Sequence, residues 1–235
     1  DVAFMANAGR VAASTLNELR LWDVKSGREI RAFDVPGKAA FATGGYLTAV
    51  RGSSKLVRQS GKTAYVYDAS TGEHLYSLSG HERNIKAVSA SKDGQTIVTG
   101  GVDRKVILWD ATEGTRRRTL TGHTGSVQAV DISPDGRLVA SGGWDRTVAL
   151  WDASTGERLR VLRHPDYLYS VEFSPDGRFL ATGCRDAVIR LWNPSTGRRL
   201  RSLKGHTREV ESISFSPEGT RLVSASWDGT ARLWN

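Results

Sequence analysis

The 235-residue chain has one cysteine, one methionine and six prolines, and only 8% of it is aromatic. A single cysteine excludes an internal disulfide and any metal site built from several thiolates, and it leaves the compartment open. No apolar run approaches the ~18–20 residues that a helix needs to cross a bilayer, so no membrane span is expected. No P-loop, HExxH, GxSxG or Cys-x-x-Cys pattern occurs. The sequence therefore shows no standard nucleotide, zinc or hydrolase motif, and no cofactor is expected. The opening Asp-Val-Ala-Phe-Met has neither the charged stretch nor the cleavage site of a secretory leader. Acids are outnumbered, 25 Asp and Glu against 33 Lys and Arg, for a formal charge of +8. That balance bears on association and not on fold. With 39% hydrophobic and 25% charged residues, the chain is long enough and apolar enough to bury a sizeable core.

What the sequence has is a repeat. Tetrapeptides RLWD, YVYD, ILWD, ALWD, RLWN and RLWN place Trp22, Tyr67, Trp109, Trp151, Trp192 and Trp234 at spacings of 45, 42, 42, 41 and 42 residues. Gly-His pairs end at His81, His123 and His206, and an Arg-His pair at His164 keeps step with them. Turn sequences SKDGQ, SPDGR, SPDGR and SPEGT recur at 91–95, 133–137, 174–178 and 216–220. In Ser-Pro-Asp-Gly the proline pre-sets φ and the glycine accepts a positive φ, which suits a tight hairpin. Between these turns lie short stretches such as VQAVDIS and TVALWD, apolar at alternate positions, as half-buried strands require.

A period of 40–45 residues with Gly-His early and Trp-Asp late resembles the WD-repeat family, over essentially the whole chain. The resemblance implies an all-β fold, a β-propeller of four-stranded antiparallel blades (strands a to d). Six repeats are visible, in a single domain over 1–235 with blades near 1–36, 37–79, 80–121, 122–162, 163–204 and 205–235. Counting strands leaves the last blade without strand d, so the chain is expected to belong to a longer, seven-bladed or larger propeller. A closed six-bladed ring with a three-stranded last blade is the alternative. The uniform, Arg-rich, SPDGR-type repeats look like those of bacterial members, whose propellers are often attached to kinase, ATPase or protease modules, so a longer multidomain chain is implied.

A fixed set recurs in each of the four closest repeats: His81, Thr99, Asp103, Trp109; His123, Ser141, Asp145, Trp151; His164, Thr182, Asp186, Trp192; and His206, Ser224, Asp228, Trp234. Ser, His and Asp together invite a catalytic reading, but acyl transfer needs one exposed nucleophile beside an oxyanion hole. Four copies at one period are architectural. In the family the corresponding residues form a buried tetrad in which Asp holds His, His meets Ser or Thr, and the hydroxyl meets the Trp indole. The first two repeats lack these sets, with Leu16 and Gly61 at the Asp position. They are expected to be held by apolar packing alone, and residues 52–62 read as a lengthened b–c connection.

The resemblance also implies a rigid protein- or peptide-interaction scaffold, not an enzyme, with contacts on the top face three and five residues after each His and just before each Asp. Those positions are Asn84, Lys86 and Val102; Ser126, Gln128 and Trp144; Tyr167, Tyr169 and Arg185; and Glu209, Glu211 and Trp227. Trp144 and Trp227 stand where folding needs no large aromatic. Tyr, Trp and Arg dominate binding hot spots. The competing class is a basic rim for nucleic acid or another polyanion, built on Arg116–Arg118, Arg158, Arg160, Arg163, Arg198, Arg199, Arg201 and Lys204. It is the weaker reading, because no aromatics are interleaved there and charges on an outer strand also serve to block edge pairing. Cys184 occupies a small-residue slot and His74 a solvated edge.

Overall fold

The computed structural model describes residues 2–5, 9–14, 18–34, 47–50 and 53–235. Leu16 lies outside them. Every element described is a strand, and consecutive strands pair antiparallel into six sheets. Blade one is Val2–Met5, Arg10–Ser14, Glu18–Asp23 and Glu29–Asp34 (β1–β4). Blade two is Leu47–Ala49, Lys55–Ser60, Thr63–Asp68 and His74–Ser79 (β5–β8), and blade three is Ile85–Ala90, Thr96–Gly101, Val106–Asp110 and Arg116–Leu120 (β9–β12). Blade four is Val127–Ile132, Leu138–Gly143, Thr147–Asp152 and Arg158–Arg163 (β13–β16). Blade five is Leu168–Phe173, Leu180–Cys184, Val188–Trp192 and Arg199–Lys204 (β17–β20). Blade six has three strands, Val210–Phe215, Leu222–Ser226 and Ala231–Trp234 (β21–β23).

Two expectations for blade two fail. Residues 55–60 are not part of a connection; they form strand b, and the b–c turn is only Gly61-Lys62, with Gly61 at φ 60°. The polar Lys55, Arg58 and Gln59 hid the strand. Nor is the packing purely apolar, because Arg58 is 1% exposed and Gln59 is buried with it. In the β6–β7 register Leu56 faces Tyr67 as Ile97 faces Trp109 in blade three, so Arg58 fills the slot that Thr99 fills there.

The apolar side chains of strands b and c lie between neighbouring sheets, so Ile107, Leu108 and Trp109 of β11 are all buried. Both faces of a central strand are covered, and the run loses its alternation. On blade six the corresponding Val223 and Leu233 are 46% and 58% exposed, whereas Val98 and Leu108 of blade three are buried.

Polar contacts lace the blades at two radii. On the inner side, Ser89 donates to Asp131 (2.8 Å), Asp131 accepts the backbone N–H of Phe173 (2.8 Å), and Glu172 accepts that of Phe215 (3.0 Å). These N–H groups lie on the free edge of strand a, where a sheet would otherwise leave donors unpaired. On the outer side, Arg31 donates to the Thr71 carbonyl (2.8 Å), Tyr76 to that of Ala111 and Arg160 to that of Ser195, each reaching the c–d turn of the next blade.

Turn chemistry is local. In the β13–β14 hairpin Gly136 N–H donates to Ser133 O (2.8 Å) and Gly136 has φ 72°. The Asp of each Trp-Asp pair caps the next turn: Asp152 accepts the Ser154 and Thr155 N–H groups (2.8 and 2.7 Å). Asn193 accepts Thr196 N–H (2.9 Å) in the same way, which explains why Asn replaces Asp without loss of the turn.

Candidate functional site

The four recurrent sets lie inside blades three to six. In blade three His81 Nδ1 is 2.9 Å from Asp103, His81 Nε2 is 2.8 Å from Thr99 Oγ1, and Trp109 Nε1 donates to the same oxygen (2.9 Å). Blade four repeats this with His123–Asp145 at 2.7 Å, His123–Ser141 at 2.7 Å and Trp151–Ser141 at 2.7 Å. Blade six does so with His206–Asp228 at 2.8 Å, His206–Ser224 at 2.7 Å and Trp234–Ser224 at 2.8 Å. The donors fix the protons. The indole donates to the hydroxyl, the hydroxyl to Nε2, and Nδ1–H to the carboxylate. Each hydroxyl is buried beneath a Trp, so none of them can meet a substrate.

Burial drives Asp145 upward, but the His123 and Thr147 side chains and the Thr124 N–H outweigh it and hold the carboxyl well below the usual carboxylate range. For Asp103 the same opposition, with His81 and the Glu82 N–H, ends below the ordinary value.

Blade five departs from the expected tetrad. His164 Nε2 does meet Thr182 (2.9 Å), and Trp192 donates to Thr182 (3.1 Å), but Asp186 does not hold His164. Arg190, buried, grips Asp186 through both terminal nitrogens, and His164 turns Nδ1–H to the Leu162 carbonyl (3.2 Å). The cause lies one residue after the His. Elsewhere that residue gives its N–H to the Asp: Glu82 to Asp103 (2.9 Å), Thr124 to Asp145 (3.0 Å) and Thr207 to Asp228 (3.0 Å). In blade five it is Pro165, which has no N–H to give. Desolvation without a carboxylate partner pushes His164 down to about 4.

The expected contact positions share the end of each blade that carries the d-to-a connection and the b–c turn. The backbone N–H of Val102, Trp144, Arg185 and Trp227 donates to the carbonyl of Asn84, Ser126, Tyr167 and Glu209 respectively, at 2.9–3.0 Å. The residue five after each His is left out of the strand register: Lys86, Gln128, Tyr169 and Glu211 are each skipped between a and b. A bulge releases a side chain from the sheet and re-aims it, which gives these positions their common geometry.

Six of the named residues and one missed residue form a ribbon across blades four to six. The Trp144 ring lies 5.9 Å from that of Tyr167, and the Arg185 guanidinium sits 5.7 Å over the same Tyr167. Arg185 meets Glu209 (3.6 Å), Glu209 meets Arg208 (3.7 Å), and Arg208 lies 5.9 Å over Trp227. The Trp227 indole donates to Glu211 (2.7 Å). Tyr169 lies within the electrostatic reach of Arg185, Glu209, Glu211 and Asp166, and burial raises its hydroxyl above the usual value. Arg208 escaped notice because it stands beside, and not at, a position the repeat pattern marks. Gln128 bonds Ser126 (2.7 Å), and Asn84, Lys86 and Val102 occupy the same end of blade three.

Among the described residues no three His, Cys, Asp or Glu side chains gather as a metal site. Among the described residues no helix is long and apolar enough to cross a membrane. Cys184 is buried against the Asp166 carbonyl (3.4 Å), and desolvation raises its thiol to about 11. His74 is exposed and bonds Ser77 (3.0 Å).

The family model described as WD domain, G-beta repeat matches residues 72–110, 114–152, 156–193 and 197–235. Each matched stretch begins with strand d of one blade and ends with strand c of the next, so the repeat unit ties neighbouring blades covalently. No curated protein sequence matches the chain.

Proposed function

Because the chain belongs to the WD-repeat family, whose repeats generally serve protein–protein interaction, we propose that it is a non-catalytic scaffold that binds a polypeptide partner across the ribbon on blades four to six. The observation that carries this is the exposure of Trp144 and Trp227, 47% and 59%, at turn positions that Val102 and Arg185 fill in the other blades. Folding has no use for an indole there, and such exposed aromatics held by neighbours are what binding hot spots consist of. Arg185 and Arg208 hold the aromatic faces in fixed places, so little side-chain freedom is lost on binding.

Part of the basic rim has other work. Arg31 and Arg160 clasp the next blade, Arg158 reaches the Gly122 carbonyl (3.2 Å), and Arg117 is paired with Asp110 (2.6 Å). These engagements take up three of the ten rim residues, Arg117, Arg158 and Arg160, and no aromatic side chains are interleaved with the others, so the polyanion reading is the weaker alternative.

The test is affinity capture from source-cell lysate, with the chain and with Trp144→Ala/Trp227→Ala as baits of equal melting temperature. The expected result is a partner held by the first bait and lost by the second. Identical captures, or none, would overturn the assignment.

A further inference from the structure

Charged groups at the top of the blades are of two kinds. On blades five and six the carboxylates are spent within the molecule. Glu209 lies between Arg185 and Arg208, Glu211 accepts from Trp227, and Asp166 accepts the Tyr167 N–H (2.8 Å). On blades three and four, four of the five cations at this end are unspent among the described residues. Lys105 takes Glu82 (2.5 Å), while the side chains of Arg83, Lys86, Arg104 and Arg146 make no ion pair or hydrogen bond among the described residues. Trp144 stands two residues before Arg146 in the same turn; its ring rests near Tyr167, and its indole N–H makes no hydrogen bond among those residues.

Arg104 and Arg146 stand in the left-handed region, at φ 67° and 62°, in the b–c turn of their blades. Gly229 takes the same place in blade six at φ 81°. Glycine adopts that conformation without steric cost and arginine does not, so the turn gains nothing from either arginine. Ala187 takes that place in blade five at φ 65°, so the turn itself sets the backbone, and what the arginines add is their side chains. Guanidinium, ammonium and indole groups only donate, and the matching ligand therefore offers acceptors alone.

We propose that the tops of blades three and four take an acidic segment of the partner polypeptide. Its carboxylates lie on Arg104, Arg146 and Lys86, and a neighbouring apolar side chain lies on Trp144. This rests on the interaction surface proposed above and adds the chemistry of the partner to it. The occupant is a short segment and not a nucleic-acid strand, because the unengaged cations are confined to blades three and four, whereas Arg185 and Arg208 on blades five and six are already taken by Glu209, so no continuous basic track crosses the surface.

The experiment is fluorescence anisotropy with labelled peptides of equal length, each with one central leucine flanked by Glu, by Lys or by Ser, and with a single-stranded DNA of similar length. The proteins are the full chain, Trp144→Ala and Arg104→Gly/Arg146→Gly. Glycine suits both turn positions, so the double variant should melt no lower than the parent. The Glu peptide should bind roughly ten-fold or more tighter than the others, weaken with salt, and lose about ten-fold in the double-glycine variant. Binding of the Glu peptide no better than the Ser peptide, unchanged affinity in the double variant, or tighter binding of the DNA would overturn the proposal. If the Lys or Ser peptide binds best and Trp144→Ala abolishes it, the acidic assignment falls and the surface stands. If Trp144→Ala changes no peptide, the surface itself falls.

Discussion

Blades four and five carry a His, a hydroxyl residue, an Asp and a Trp at the same offsets, yet they hold them differently. In blade four His123 is bonded to Asp145 and that carboxylate also takes the Thr124 N–H. In blade five His164 turns to the Leu162 carbonyl and Asp186 belongs to Arg190. Spacing places the side chains in one region of the blade. The residue after the His, Thr124 or Pro165, decides which of them pair, and Arg190, which faces the hydroxyl of Thr182, takes the carboxylate that Pro165 leaves; Arg232 faces Ser224 in blade six, where Thr207 supplies the N–H and the His206–Asp228 pair is kept. A permanently charged guanidinium with two donors outcompetes a neutral imidazole for a carboxylate that has lost a backbone donor.

The largest effect is expected from Asp145→Ala. It strands the His123 N–H and two backbone donors in a buried site, at a cost of about 3 kcal/mol or more. Thermal melting should fall by about 6–12 °C for a chain of this size, and a shift below about 2 °C would refute the structural role.

A second contrast is in pH. The folded-state value of His164 lies near 4 and the ordinary value at 6.5, so the unfolded chain binds more protons between them. Stability contributed by neutral His164 is complete above pH 6.5 and is lost as pH falls toward 4. The loss amounts to about 3 kcal/mol at about 1.4 kcal/mol for each pH unit. Denaturant melts of the parent and of His164→Gln should show the difference between them changing by that amount over this window. A constant difference would contradict the burial of an imidazole without a carboxylate partner.

Pro165→Thr/Arg190→Ala should rebuild in blade five the arrangement of blade four. Histidine NMR should then show the His164 midpoint moving up from about 4 as Asp186 becomes its partner. A midpoint left in place would mean that neither residue governs the pairing. The smallest effect concerns the b–c turn, where Ala187 has φ 65° and Arg146 φ 62°. Ala187→Gly should raise stability by at most about 1 kcal/mol and leave partner binding alone, whereas Arg146→Gly should weaken binding.

The repeat period made the blades legible because turn chemistry and buried tryptophans recur with it. Strand b of blade two was not legible: Lys55, Arg58 and Gln59 break the apolar alternation that marks a strand, and only the buried environment shows where they go. The geometry of the top-face positions was hidden for another reason. A bulge at Lys86, Gln128, Tyr169 and Glu211 is a property of pairing register, to which composition is blind. Trp144 and Trp227 could be picked out as aromatics without a folding role, but the joining of Tyr167, Arg185, Glu209 and Arg208 into one ribbon depends on how adjacent blades sit together. The altered pairing in blade five did leave a trace, Pro165 in place of a residue with an N–H.

Trp144 and Asp145 are adjacent and have opposite roles in this account. The most direct test measures melting temperature and partner capture side by side for Trp144→Ala and Asp145→Ala. Trp144→Ala should melt within about 1 °C of the parent and lose the partner. Asp145→Ala should melt far lower and, below its own midpoint, keep the partner. A Trp144→Ala protein that still captures the full set of partners would contradict the account.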